Sequence, residues 1–131
     1  MKKILIILFV FIFSLYLIPP HVFAENNFTT DYSVTYNVLE NALTHVTFNI
    51  TLANKTSQYY ASSYGIQVGF KNIENVLASD NGGKITPQIS KNDDGNNIEI
   101  VFNDRVVGLD KKLSFSISFD TKDIAQKSGK I

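Results

Sequence analysis

Apolar residues recur at every second position through most of this chain. Between Tyr32 and Leu39, Tyr32, Val34, Tyr36 and Val38 share one parity, and Ser33, Thr35 and Asn37 share the other. Between Leu43 and Leu52, Val46, Phe48, Ile50 and Leu52 alternate with His45, Thr47, Asn49 and Thr51. Successive side chains of a strand point to opposite faces, so each segment predicts a strand with one buried and one wet face. Glu40 to Ala42 is too short for a parallel crossover, and the two segments predict an antiparallel hairpin.

Past Leu52 the alternation stops. Ala53 to Gln58, ANKTSQ, is rich in turn-formers and predicts a connection between strands. A third strand follows, with Ile66, Val68 and Phe70 as its apolar face. Carried backwards, that parity puts Tyr60 and Tyr64 in the core and turns Tyr59 outward. Gly65 and Gly69 predict a bulge or a close backbone approach. Ile73 to Ser79 fits a short strand or a single helical turn equally well. Asp80-Asn-Gly-Gly83 predicts a tight hairpin, with Asn-Gly supplying positive φ angles. In Lys84 to Ser90, Ile85 and Ile89 flank Pro87, which cannot donate a ladder hydrogen bond, so this strand is expected at an edge or bulged.

Lys91 to Asn97, KNDDGNN, is a second turn. Ile98, Ile100 and Phe102 then mark one strand, and Leu113, Phe115, Ile117 and Phe119 mark the last. No segment sustains a helical period, although Asp123 to Lys127 fits a helical turn. The chain therefore predicts an all-β fold, an immunoglobulin-like or related antiparallel β-sandwich of about seven strands, after an N-terminal signal helix.

That leader is the exception to the alternation. Lys2 and Lys3 precede an apolar run, Ile4 to Ile18, then Pro19 and Pro20, then Val22 to Ala24 with short side chains at the cleavage positions. These are the three parts of a secretory signal peptide, residues 1–24. The run is roughly 15 residues against the roughly 20 of a spanning helix. The β-sandwich domain then occupies residues 25–131. Ser128 to Ile131 leads towards a new apolar element, so the domain reads as truncated at its C-terminal end. The expected location is secreted or extracytoplasmic, with membrane contact only through the signal segment if it stays uncleaved.

Composition narrows the function classes. The chain carries 12 basic and 12 acidic residues, and loss of Lys2 and Lys3 leaves a slightly acidic domain. The charges are scattered, with no basic face to displace counterions from nucleic acid. The chain has no cysteine, so no disulfide staple, thiolate nucleophile or thiolate metal site can form within it. Stability must come from an apolar core; the whole chain has 10 Phe and 6 Tyr, of which 6 Phe and 5 Tyr follow residue 24.

Candidate chemistry is sparse. His45 is the one histidine after the leader, and acid–base catalysis would need a nucleophile and an orienting carboxylate beside it. On the polar face of its strand it reads as an exposed histidine. Asn92 to Gly95, NDDG, clusters oxygen ligands, but the EF-hand register fails: its first position falls on Ser90 and its twelfth on Val101. A hairpin turn is the better reading, and no metal or other cofactor is expected. Asn27, Asn49 and Asn54 each begin an N-x-T triplet. Frequent Lys, Ile, Asn and Phe suit an AT-rich bacterial genome, where such triplets arise by chance. A eukaryotic glycosylated domain is the alternative. Tyr59 and Asn54, beside the polar break, are the expected binding surface.

Asp31 to Phe70, DYSVTYNVLENALTHVTFNITLANKTSQYYASSYGIQVGF, resembles the N-terminal extracytoplasmic region of bacterial transglutaminase-like proteins. The shared features are a Tyr-x-Val strand, a turn, a V-T-x-x-I-x-L-x-N-x-T segment and a Tyr-Ala-Ser segment. The arrangement is more loosely similar to the lumenal β-domain of ribophorin-type oligosaccharyltransferase subunits. The resemblance implies a Cys-His-Asp triad in a later domain. No residue of this chain matches that triad. The implied role is a non-catalytic accessory module whose partner is the downstream domain of the same polypeptide. An independent module that binds envelope glycan or protein is the alternative.

Overall fold

The computed structural model describes residues 26–125, so residues 1–25, with the expected signal peptide 1–24, and residues 126–131 lie outside the described residues. Among the described residues eight strands form two antiparallel sheets, as expected of a β-sandwich. They are β1 (Phe28–Val38), β2 (Thr44–Asn54), β3 (Ala61–Val68), β4 (Ile73–Asp80), β5 (Gly83–Ile85), β6 (Gln88–Asn92), β7 (Gly95–Val106) and β8 (Lys112–Thr121). One sheet has five strands in the order β1-β2-β8-β4-β5, and the other has three in the order β3-β7-β6.

The core is built from the inward parity of the central strands. Val46, Ile50 and Leu52 of β2 meet Leu113, Phe115, Ile117 and Phe119 of β8, and Ile98, Ile100, Phe102 and Val106 of β7 cover them from the other sheet. Aromatic rings knit the two layers together. Phe115 packs against Tyr64 and Phe102 with centroids 5.1 and 5.0 Å apart, and Phe119 packs against Phe48 and Phe70 at 6.1 and 5.9 Å. Such pairs contribute about 0.5–1.5 kcal/mol beyond the area they bury.

Several local expectations resolve in a definite way. The β1–β2 hairpin forms with Val38 opposite Thr44, and Ala42 takes a positive φ of 66° in its turn. Ile73 to Ser79 is a strand, not a helical turn. Its alternation is hidden because a bulge between Glu74 and Leu77 shifts the register on β8, with Asn75 at φ 52°. The irregularity of β3 lies between Ala61 and Ser63, whereas Gly65 pairs in register with Glu99. The Asp80–Gly83 hairpin forms, but its positive φ sits on Gly83 and not on the Asn-Gly pair.

Lys84 to Ser90 is not one strand. β5 belongs to the larger sheet and β6 to the smaller, so the chain changes sheets at Thr86-Pro87. Proline has no amide hydrogen to give to either ladder, which suits the corner. The second turn closes with Asn92 opposite Gly95. Gly95 has φ 136°, and a Cβ there would sit 2.0 Å from the Val68 carbonyl oxygen. No other residue fits this approach of the hairpin to the end of β3.

Candidate functional site

The two residues expected to form a binding surface touch, but not as a surface. Asn54 ends β2 and is fully buried. Its Nδ2 donates to the Tyr59 carbonyl at 2.8 Å and to the Val106 carbonyl at 3.0 Å, while its Oδ1 accepts from the Thr56 N–H at 2.9 Å. Its backbone is also held, with N–H to the Lys111 carbonyl and carbonyl to the Asp110 N–H. Asn54 is thus a keystone that shapes the connection after β2. A glycan on Asn54 would need the Nδ2 that holds two carbonyls inside the fold.

Tyr59 does point outward, as expected. Tyr60 departs from expectation: it is 55% exposed. It precedes the first residue of β3, and the bulge after Ala61 breaks the parity that would have carried it inward. Only Tyr64 reaches the core. The Arg105 guanidinium lies 5.3 Å from the Tyr60 ring centroid, within cation–π range. Tyr60 and Arg105 form an exposed aromatic–cationic pair, and Tyr59, the adjacent residue in the chain, is also exposed.

The outward parity of the five-stranded sheet is a field of hydroxyls and amides. Thr51 Oγ1 lies 3.0 Å from Ser114 Oγ, and Ser79 Oγ lies 3.2 Å from Ser116 Oγ. At one end of this field His45 Nδ1 is 2.6 Å from Asp120 Oδ1, and Asn75 Nδ2 donates to Asp120 Oδ2 at 3.0 Å. The β4 bulge carries Asn75 to this place, which sequence alternation could not foresee. The Asn75 amide, followed by His45, holds the Asp120 carboxyl below the usual carboxylate range. This fixes the His45 ring, whose exposed edge remains open to solvent. Asp123 is lowered by the Asn72 N–H and then by the Asn72 side chain. At Asp80 burial works to raise the pKa, but hydrogen bonds from the Asn103 side chain and from the Asn103 and Gly82 N–H groups outweigh it, and the net shift is downward.

Among the described residues no group of three or more His, Asp or Glu is placed to hold a metal ion. Asp93 and Asp94 occupy the tip of the β6–β7 hairpin, where Asn92 Oδ1 accepts from the Asp94 N–H at 3.0 Å.

The last candidate is an apolar face. The inward parity of β1 lies opposite buried residues of β2: Tyr32 faces Ile50, and Tyr36 faces Val46. Yet Tyr32, Tyr36 and Val38 are 69%, 53% and 54% exposed. The first strand was expected to bury this face. It does not, because the second sheet is only three strands wide and leaves β1 overhanging. Of the inward parity of β1, only Phe28 and Val34 pack against the core cluster. The result is an aromatic shelf continuous with the core and bordered by the edge of β1, which pairs with no further strand among the described residues.

No protein-family model matches this chain, and no curated protein matches it either.

Proposed function

We propose that this chain is a non-catalytic, exported β-sandwich module, the N-terminal accessory region of a larger transglutaminase-like envelope protein. On this reading it receives and positions another polypeptide through its β1 side. The observation that carries the proposal is the largely uncovered inner face of β1, where only Phe28 and Val34 pack on the core. Exposed Tyr32, Tyr36 and Val38 extend the core parity into solvent, and contiguous apolar patches of that kind mark protein contact sites. The amides and carboxylates best placed for chemistry are engaged in shaping loops, as at Asn54, Asn103 and Asp123. The leader, the Asp31–Phe70 resemblance and the lack of cysteine support an exported region whose thiolate chemistry would reside in another domain.

The test is to read the gene through the Ile131 codon. An open frame continuing into a Cys…His…Asp domain is the expected result. A stop codon directly after Ile131 refutes the accessory role.

The Tyr60–Arg105 pair, with exposed Tyr59 beside it in the chain, favours a second reading, an independent module that binds envelope glycan or protein. Aromatic and Arg side chains are enriched in recognition surfaces. Retention of the protein on isolated bacterial envelope, lost on Tyr60→Ala without loss of folding, would support it. Retention unchanged by Tyr59→Ala and Tyr60→Ala would exclude these side chains.

A further inference from the structure

We propose that β1 is a self-pairing edge: two copies of this chain join antiparallel along β1, with Ser33 opposite Ser33 on a two-fold axis. This rests on the reading that the β1 side receives a polypeptide, and it names that polypeptide as a second copy.

Among the described residues four strands lie at sheet edges, and three of them are blunted. Protein edges are commonly protected by shortness, lysine, proline or bulges, because an open ladder invites another strand. β5 is three residues long. β6 is five residues long, follows Pro87 and carries Lys91. β3 is irregular between Ala61 and Ser63. β1 has none of these devices. It pairs with β2 without a break over 11 residues, FTTDYSVTYNV, which include no proline, no lysine and one charge, Asp31.

The strand is also complementary to itself. An axis through Ser33 pairs every residue of β1 with a residue of β1 in the second copy. On the inner face Phe28 meets Val38, Thr30 meets Tyr36, and Tyr32 meets Val34. Each inner pair sets an aromatic ring against a β-branched side chain, a favourable cross-strand combination. On the outer face Thr29 meets Asn37, Asp31 meets Thr35, and Ser33 meets itself. The single charge never faces its own kind. An axis through Thr35 would pair only Tyr32 to Val38 and leave Phe28 to Asp31 without partners inside the strand. The contact is isologous and closes at two copies. It joins the two larger sheets edge to edge and sets the two exposed aromatic shelves side by side. In a longer polypeptide it would bring two following domains together.

The absence of cysteine makes a clean test. Directly opposed antiparallel residues have Cα atoms about 4.5–5.5 Å apart, inside the range a disulfide spans. The full chain is produced by export and purified in mild detergent. Light scattering after gel filtration should show the mass doubling as concentration rises. Under mild oxidation Ser33→Cys should give a covalent dimer. Thr29→Cys alone should not, but a mixture of Thr29→Cys with Asn37→Cys should. Tyr36→Lys, which places a charge on the exposed inner face, should hold the mass at the monomer value with its melting temperature retained. Cross-linking of Thr29→Cys equal to that of Ser33→Cys, or a single-copy mass at every concentration, overturns the proposal.

Hydrogen exchange then separates this failure from that of the underlying reading. Protection of β1 amides in a monomeric polypeptide extended past Ile131 would mean that β1 takes its partner from the same chain. Self-pairing would then be wrong, and the docking reading would stand. β1 edge amides that exchange freely in both forms would overturn both.

Discussion

Replacing Asn54 removes the one side chain that ties the β2 end to two other segments. In Asn54→Ala the Val106 carbonyl, the Tyr59 carbonyl and the Thr56 N–H each lose a partner. A net hydrogen bond is worth about 1 kcal/mol, and a buried group left without a partner costs about 1–3 kcal/mol. Tyr59 and Thr56 lie near the surface and can turn to water, whereas Val106 is fully buried. The expected loss is therefore about 3–4 kcal/mol. With a urea dependence of roughly 2 kcal/mol per M, the midpoint should fall by about 1.5–2 M. Asn54→Asp keeps the shape but removes both N–H donors and aims a carboxylate at two carbonyl oxygens. It should be at least as damaging at pH 7, and its deficit against the parent chain should narrow towards pH 4, as protonation restores one donor and removes the buried charge. Exchange of the Thr56 to Tyr60 amides should accelerate in both variants. Midpoints within about 0.3 M of the parent for both substitutions would refute the keystone role, since that is below one net hydrogen bond.

Phe119→Ala should cost about 3–5 kcal/mol, because Phe119 is fully buried between Phe48 and Phe70. Phe48→Ala should cost less, as its ring is only partly covered; equal urea midpoints for the two would contradict the overhang of the larger sheet. Thr44 Oγ1 is buried without a hydrogen-bond partner among the described residues, so Thr44→Val should leave stability unchanged or raise it by about 1 kcal/mol, and a clear fall in melting temperature would mean that the hydroxyl is satisfied. Asp80, Asp120 and Asp123 all have lowered folded pKa values. Their contribution is thus present above the unfolded carboxylate value of about 3.9 and is lost as pH falls through the folded values. Urea midpoints should drop below about pH 4, and a flat profile from pH 7 to 3 would refute those hydrogen bonds.

What the sequence determined by itself was the all-β class, most of the strands (though not the division of Lys84–Ser90 between β5 and β6, nor β4) and, in the central ones, their inward faces. In β2, β7 and β8 the period-two pattern names the buried residues, because both neighbours and the opposite sheet cover those strands, as at Ile50, Ile100 and Phe119. The Asp80–Gly83 and Asn92–Gly95 hairpins were legible too, since their turn chemistry is local. Local pattern could not say how wide the second sheet would be. β1 alternates as cleanly as β2, yet Tyr32, Tyr36 and Val38 of its inner face are exposed, because burial depends on what another part of the chain places above it. The same limit applies to Asn54, which reads as one more polar loop residue until Tyr59 and Val106 present their carbonyls to it. It applies to Tyr60, whose parity is undone by a single bulge, and to the His45–Asp120–Asn75 cluster, which exists only because three strands meet in one register. Period and turn chemistry act between near neighbours in the chain. Coverage, register and the pairing of distant polar groups are set by the tertiary fold alone.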